Sequence, residues 1–497
     1  MKKFAKLLGF DPVEKQTSVR TEIVAGIVTF LAMAYILTVN PNQILYAGTE
    51  DPRWSSLFIA TAFGAIIGTL LMAFFAKMPL AQASGMGLNS LVGSIIGGGI
   101  GFYAYGFSFS LGQAFMMVLI SGIIFLLLSL ITIKGKTFRE LVFDGMPIPV
   151  RTAISVGIGL FIAYIGFQNA GVIVANQYTQ VALVDFTNWD VCKPAIVAII
   201  GLFLIAILDK MNIKGSVILG ILGATVVGIP MGVTNVKVIT GAEGVSWKFW
   251  ENFANFFNVG EGSVFGSFTS VFSEGFPAGS VFTVIMLIIT MCMIDMFDTM
   301  GTIVGCCGGN RILSDENDKP HNYGKIMICD SVATCAGAAL GTSTVTTFVE
   351  SGAGVSAGGR TGLTAFTTAC MFLLAIFAMP LFAMIPSAAT AAALIYVGVL
   401  MMKNNVKSVD FGNAINATTA FLTIVVMVLS YSITKGIGVG MVSFTLMSAV
   451  AYLVEYIKYA VKGKKNGEEA PKWKVSVVAL VVTALFLVYF FVPTTLG

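Results

Sequence analysis

The sequence predicts an all-α polytopic membrane protein with about 14 transmembrane segments in two inverted seven-helix repeats. Three observations predict it. Only 11% of the 497 residues are charged and 56% are hydrophobic, whereas a soluble protein carries about a quarter charged residues. The apolar residues fall in blocks of roughly 20, the length that crosses a bilayer core. Lys and Arg lie mostly on one side of those blocks. Water cannot satisfy backbone polar groups inside a bilayer, so such blocks must be helices.

The blocks lie at 22–41, 55–77, 79–99, 112–133, 150–173, 191–209 and 213–232, then 279–306, 323–341, 342–359, 361–384, 387–402, 413–433 and 436–458. Residues 1–21 are polar and basic, and lack the apolar core and cleavage site of a secretory signal. They are expected in the cytoplasm. A basic cytoplasmic linker, 459–474, precedes an extra apolar segment within 475–497. With the N-terminus inside, 29 Lys and Arg residues distribute so that only Arg53, Lys193, Lys237, Lys248 and Lys435 face outward. That bias satisfies the positive-inside rule and implies a multi-pass protein of the inner, or plasma, membrane. The lipid bilayer is thus its first partner, and 54 glycines allow close helix approach.

Seven helices per half is an odd number, so the second half is inserted upside down relative to the first. Such inverted repeats place a ligand near the midplane, between interrupted helices. The halves are separated by an extracytoplasmic loop, 233–278. In it Trp247, Phe249, Trp250, Phe253, Phe256 and Phe257 cluster, which predicts a short interfacial helix. A lid over the substrate is the alternative.

Several function classes are excluded. The seven cysteines show no metal-ligand spacing and His321 is the single histidine, so neither a zinc site nor a Ser-His-Asp triad is expected. Gly135-Lys136-Thr137 lacks the upstream glycine of a phosphate loop. Transport would therefore be secondary, driven by an ion gradient, with no bound cofactor, no metal and no nucleic-acid partner.

Two segments do not read as ordinary membrane helices. The third begins Pro79-Leu80-Ala81-Gln82-Ala83-Ser84-Gly85-Met86-Gly87-Leu88-Asn89, broken by Pro and Gly. The tenth begins Gly341-Thr342-Ser343-Thr344-Val345-Thr346-Thr347-Phe348-Val349-Glu350, a β-branched run that favours extended backbone. Both occupy the third place of their halves. Paired interruptions of this kind point to a binding site with half-helix N-termini aimed at the ligand.

Acids supply the chemistry. Asp295 and Asp298 are three apart in the eighth segment and share one helix face. Asp330 in the ninth segment and Glu350 in the tenth join them. No Lys or Arg falls mid-segment to pair with them, so these carboxylates are expected to take a proton, bind a cation or accept hydrogen bonds from a ligand. Asp330 lies nearer a helix start, where capping is the alternative. An anionic ligand would need Arg or Lys; a flat neutral molecule rich in N–H donors, such as a nucleobase, suits carboxylates. Asn89 can donate and accept at once, matching the mixed edge of a purine. Phe348 could stack on a planar ring. Backbone N–H groups near Ser84 and Gly85, and in the turn from Thr346 through Thr347 to Glu350, are candidate donors to the base.

These strings resemble the nucleobase–cation symporter family 2, and within it the AzgA-like adenine/guanine/hypoxanthine permeases. The likeness runs from about Val19 to Tyr456. It includes Arg20-Thr21-Glu22-Ile23-Val24-Ala25-Gly26, Met33-Ala34-Tyr35-Ile36-Leu37, Gly85-Met86-Gly87-Leu88-Asn89, Phe297-Asp298-Thr299-Met300-Gly301-Thr302 and Gly341 to Ser351. The resemblance implies a core domain formed by 22–134 and 279–384, and a gate domain formed by 150–232 and 387–458 that can mediate a homodimer. It assigns Asp295, Glu350 and Asn89 to the base, Asp298 to binding or coupling, and proton symport to the cycle. The family motif has Pro where this chain has Ser84, and often Ala at Ser90, which leaves the preferred purine open.

The expectation is thus a proton-coupled importer of purine bases (adenine, guanine and/or hypoxanthine) working by alternating access, with Asp295, Asp298, Glu350 and Asp330 as candidate proton carriers. Three rivals stand beside it. A xanthine or uracil permease would share the fold. An intramembrane aspartyl enzyme would need its acids on facing helices within a defined motif, which is missing. A passive channel would ignore a collapsed proton gradient.

Overall fold

Ser18 accepts the backbone N–H of Thr21 and caps α1 (Val19–Met33), satisfying a donor that a helix start leaves open. The chain turns at Ala34 and Tyr35 and resumes as α2 (Ile36–Leu45). α3 (Trp54–Leu71) runs into a wide π turn, Met72–Ala76, closed by Lys77 in the left-handed conformation at φ 56°. That turn feeds β1 (Gln82–Ser84) and then α4 (Met86–Ile95). This computed structural model describes the chain except for residues 1–6, 12, 46–50, 97–107, 134–135, 138–144, 177, 214, 238–244, 259–263, 308–311, 315–319, 432, 464–469, 474 and 492–497.

Beyond α4 come α5 (Leu111–Leu130), the small hairpin β2 (Thr132–Ile133) and β3 (Lys136–Thr137), and α6 (Ile148–Asn169). A second hairpin, β4 (Ile173–Asn176) and β5 (Gln180–Leu183), leads to α7 (Trp189–Lys210) and α8 (Ser216–Gly228). Two short helices, α9 (Phe249–Phe257) and α10 (Val264–Glu274), fill the described part of the central loop. The second half comprises α11 (Val281–Cys307), α12 (Tyr323–Leu340), β6 (Val345–Thr347), α13 (Ser351–Ser356), α14 (Gly362–Phe377), α15 (Met379–Ala383), α16 (Ser387–Asn405), α17 (Ala414–Leu429) and α18 (Ile433–Lys458). α19 (Val477–Phe491) closes the described chain. Of the linker 459–474, residues 464–469 and 474 lie outside the described residues.

Among the described residues seven helices are long and apolar enough to cross a membrane, and six shorter apolar helices accompany them. This is the make-up of a multi-pass membrane protein. Block 342–359 holds only the six-residue α13, because β6 takes part of it.

Two compact units divide the chain: Met1–Leu130 with Ile162–Val397, and Ile131–Phe161 with Gly398–Gly497. In the first, α3 and α12 both press on β6: a Cβ at Gly64 of α3 would stand 2.9 Å from Val345 Cγ2 and 3.7 Å from Gly337 Cα of α12, and one at Gly337 2.5 Å from the same Val345 atom. Buried Glu22 of α1 accepts the N–H groups of Arg360 and Thr361 at 2.9 and 3.2 Å and the Thr364 hydroxyl at 2.5 Å, tying α1 to the start of α14. The aromatic helix α9 lies against α3, with the Phe63 ring 5.9 Å from Phe253 and 6.0 Å from Phe256. Trp250 and Phe257 of α9 stay exposed.

In the second unit α19 folds back along α18. A Cβ at Gly438 would meet Phe486 at 2.6 Å, the Thr445 and Thr483 hydroxyls share a hydrogen bond of 2.8 Å, and the rings of Tyr452 and Trp473 meet edge to face at 5.2 Å. Val477 and Phe491 point outward, 75% and 81% exposed. A cavity of about 470 Å³ in this unit is lined by Met146, Thr152, Asp410, Asn416, Phe444 and Ser476 among others; no candidate site residue lines it.

Candidate substrate site

β1 and β6 pair antiparallel, with Gln82 opposite Thr347, Ala83 opposite Thr346 and Ser84 opposite Val345. Two flanking bonds lengthen the ladder: Gly85 N–H to Thr344 O at 2.9 Å and Phe348 N–H to Ala81 O at 3.0 Å. All six strand residues are buried. Extended backbone is stable in such a place because each strand satisfies the other's polar groups inside protein. The N-terminus of α4 and the turn into α13 therefore start from this one buried ribbon.

Asp330 of α12 fastens the ribbon. Its Oδ1 accepts Gln82 Nε2 at 3.0 Å, Thr347 N–H at 3.1 Å and the Thr347 hydroxyl at 3.2 Å. Its Oδ2 accepts the Thr299 hydroxyl of α11 at 2.6 Å. Thr299 also meets Thr346 Oγ1 at 2.6 Å. One carboxylate thus joins both strands to α11 and α12, and Thr347 is turned into that joint.

Several groups selected from the sequence are engaged within the ribbon. Ser84 Oγ shares a hydrogen bond of 2.9 Å with Thr342 Oγ1, which also accepts Asn40 Nδ2 at 2.8 Å. Asn89 Oδ1 accepts the Ser343 hydroxyl, and its Nδ2 donates to Ser84 O at 3.4 Å. Gly85 is a close approach: a Cβ there would stand 2.8 Å from Thr346 Cγ2. Phe348 is 4% exposed, with its carbonyl facing Cys306 Sγ at 3.8 Å.

The acids separate into two settings. Asp295, 1% exposed, has its Oδ2 on the Thr334 hydroxyl of α12 at 2.9 Å. Asp298, one turn on, is only partly buried and lies within electrostatic reach of Asp330, Glu350 and Tyr35. Glu350 precedes α13 and is 8% exposed. Its Oε1 accepts the Tyr35 hydroxyl, while Oε2 is buried without a hydrogen-bond partner. The Thr344 hydroxyl is likewise buried and unpartnered. A desolvated carboxylate oxygen with no donor is costly and calls for a ligand, a water or a proton.

Sequence reasoning did not single out Tyr35, Asn40, Gln82, Thr299 or Ser343 as site residues. Tyr35 stands inside the string Met33 to Leu37 and Ser343 inside the hydroxyl-rich run from Thr342 to Thr347, so position in a motif was the available signal.

The model of the Permease family matches residues 20–439. The chain is 35% identical over 434 residues to the adenine permease AdeP of Escherichia coli (strain K12), spanning 87% of this chain and 88% of that protein. It is 34% identical over 447 residues to the guanine/hypoxanthine permease PbuO of Bacillus subtilis (strain 168), spanning 88% and 94%. Among solved structures, the transmembrane domain of the cyanobacterium bicarbonate transporter BicA superposes with a TM-score of 0.55 at 16% identity, covering 84% of this chain and 96% of that one. At that identity the likeness concerns the fold alone.

Proposed function

The chain belongs to the Permease family, and from that premise we propose that it imports purine nucleobases by proton symport with alternating access. As a member it is a permease and not an enzyme. The observation that carries the substrate reading is Glu350 Oε2, a buried acceptor with no donor of its own. A base N–H supplies that donor without bringing a charge into low dielectric. The relatives named for adenine and for guanine/hypoxanthine agree with such a ligand.

The family resemblance assigned the base to Asp295 and Glu350, with Asp298 assisting. Asp295 is buried against Thr334, while Asp298 is partly exposed. In this reading Glu350 and Asp298 instead hold the N–H edge of the base, with Asp295 supporting them from the α12 side. Phe348 walls the ring. Asn89, Ser84, Gly85 and Thr347 shape the ribbon from which backbone groups meet the base's acceptors. Asp298, Asp295, Glu350 and Asp330 are the groups able to take the proton. The 14-span inverted repeat, with a core domain of 22–134 and 279–384 rocking against a gate domain of 150–232 and 387–458, supplies alternating access. The N-terminus is cytoplasmic, the membrane is the plasma membrane, and the gate domain is the surface for a homodimer.

The test is uptake of radiolabelled adenine, guanine, hypoxanthine, xanthine and uracil by cells lacking their own permeases. It is run with and without a protonophore, for wild type and Glu350→Gln. Saturable purine uptake lost in both the protonophore and the variant supports the reading. No uptake of any base, with the protein present in the membrane, rejects it.

A further inference from the structure

We propose that Tyr35 is the positioning residue of Glu350, occupying one carboxylate oxygen so that the other meets the substrate in one fixed orientation. The inference rests on the substrate reading above and deepens it. Tyr35 is 0% exposed and stands in the turn between α1 and α2. Its hydroxyl donates to Glu350 Oε1 and lies 3.8 Å from Met86 Sδ, at the first residue of α4. The turn in the first segment, the start of α4 and the residue before α13 therefore converge on one hydroxyl. Glu350 makes no capping bond with its own helix, and the side chain that bonds its carboxylate is Tyr35.

The chemistry of the donor matters. A phenol O–H gives a carboxylate a strong hydrogen bond and leaves its charge in place. A Lys or Arg there would neutralise the acid and remove its demand for an N–H donor. Tyr35 thus fixes which oxygen is free: Oε1 is filled and Oε2 is not. Asp298 lies within electrostatic reach of both Tyr35 and Glu350, so the second acid of the site is close to the pair. Removing the hydroxyl leaves Glu350 present but free to turn, and a base N–H meets it in several orientations.

The experiment measures purine uptake kinetics and their pH profile for wild type, Tyr35→Phe, Glu350→Asp and the double variant, normalised to protein in the membrane. Tyr35→Phe is expected to raise KM about tenfold, keep Vmax within about twofold and displace the pH profile of KM. Glu350→Asp draws the carboxylate back from Tyr35 and is expected to raise KM similarly. Adding Tyr35→Phe to Glu350→Asp should then change KM less than about twofold, since coupled residues are not additive. Wild-type KM and pH profile in Tyr35→Phe overturn the proposal, as does a full tenfold effect of Tyr35→Phe in the Glu350→Asp background. If Tyr35→Phe does not reach the membrane, Glu350→Asp decides, and a wild-type KM there overturns it. Failure of the substrate reading is told apart in the wild-type arm alone: no base uptake there overturns both.

Discussion

Thr347 gives both its backbone N–H and its side-chain hydroxyl to a single oxygen of Asp330, at 3.1 and 3.2 Å. Gln82, the residue opposite Thr347 across the ribbon, adds its amide to the same oxygen. Asp330→Ala removes the acceptor and leaves those donors, with Thr299, buried and unsatisfied. The expected loss is on the order of 3 kcal/mol, read as a lower melting temperature of the detergent-solubilised protein. Asp330→Asn keeps the shape and one carbonyl acceptor, so it should melt between alanine and wild type. Equal melting of Asp330→Ala and wild type would show that the ribbon does not depend on this joint.

The long apolar helices were legible because a bilayer demands about 20 apolar residues in a row, and seven described helices meet that demand. The two interruptions were legible too, since Pro79, Gly85 and Gly87 break one helix and a β-branched run opens the other. Partners across the chain were not. Asp330 and Gln82 are 248 positions apart, and nothing local in either announces the other. Asp295 and Asp298 share a stripe by spacing, yet spacing does not say what each meets: the first bonds Thr334, the second neighbours Glu350. A tyrosine in an apolar helix reads as packing, so Tyr35 was visible only as part of a motif.

Gly85 separates a role in the site from a role in the fold. A methyl group there meets Thr346 Cγ2 at 2.8 Å and Thr344 Oγ1 at 3.4 Å. Thr346 cannot swing away freely, because its hydroxyl is bonded to Thr299 at 2.6 Å. Gly85→Ala is expected to cost roughly 1–3 kcal/mol of overpacking and to lower purine uptake at least about tenfold, with protein still in the membrane. Gly324→Ala is the control, since a Cβ there meets nothing within 4 Å. Matching uptake in the two variants would mean the ribbon tolerates the methyl.

Glu22 predicts a purely structural effect from a buried acid. Its carboxylate satisfies two backbone N–H groups and one hydroxyl at the start of α14. Glu22→Ala leaves two of those donors buried and one, the Arg360 N–H, part-buried, and a loss of roughly 2–3 kcal/mol is expected. The melting temperature should fall, while KM of the protein that remains folded should stay within about twofold of wild type. A large KM change at unaltered stability would move Glu22 into the transport cycle.

The pairing of α18 with α19 predicts on which face the C-terminus emerges. Contacts run in opposite order: Gly438 and Thr445 of α18 meet Phe486 and Thr483 of α19, and Tyr452 of α18 meets Trp473, just ahead of α19. α19 therefore retraces α18 and ends near the level where α18 begins. Its outward residues Val477, Val481, Leu485 and Phe491 are apolar and exposed, as a lipid-facing surface requires. An epitope tag placed after residue 497 should be reached by antibody from the face opposite the one that reaches a tag in the linker 459–474. Gly438→Leu should disturb this, because even a Cβ there stands 2.6 Å from the Phe486 ring, and a lower melting temperature is expected. Thr483→Val should cost only about 1 kcal/mol, the usual scale of one hydrogen bond between membrane helices. Both tags reached from one face would mean that α19 does not cross, and the helix would then have to lie along the membrane surface despite its buried hydroxyl pair with α18.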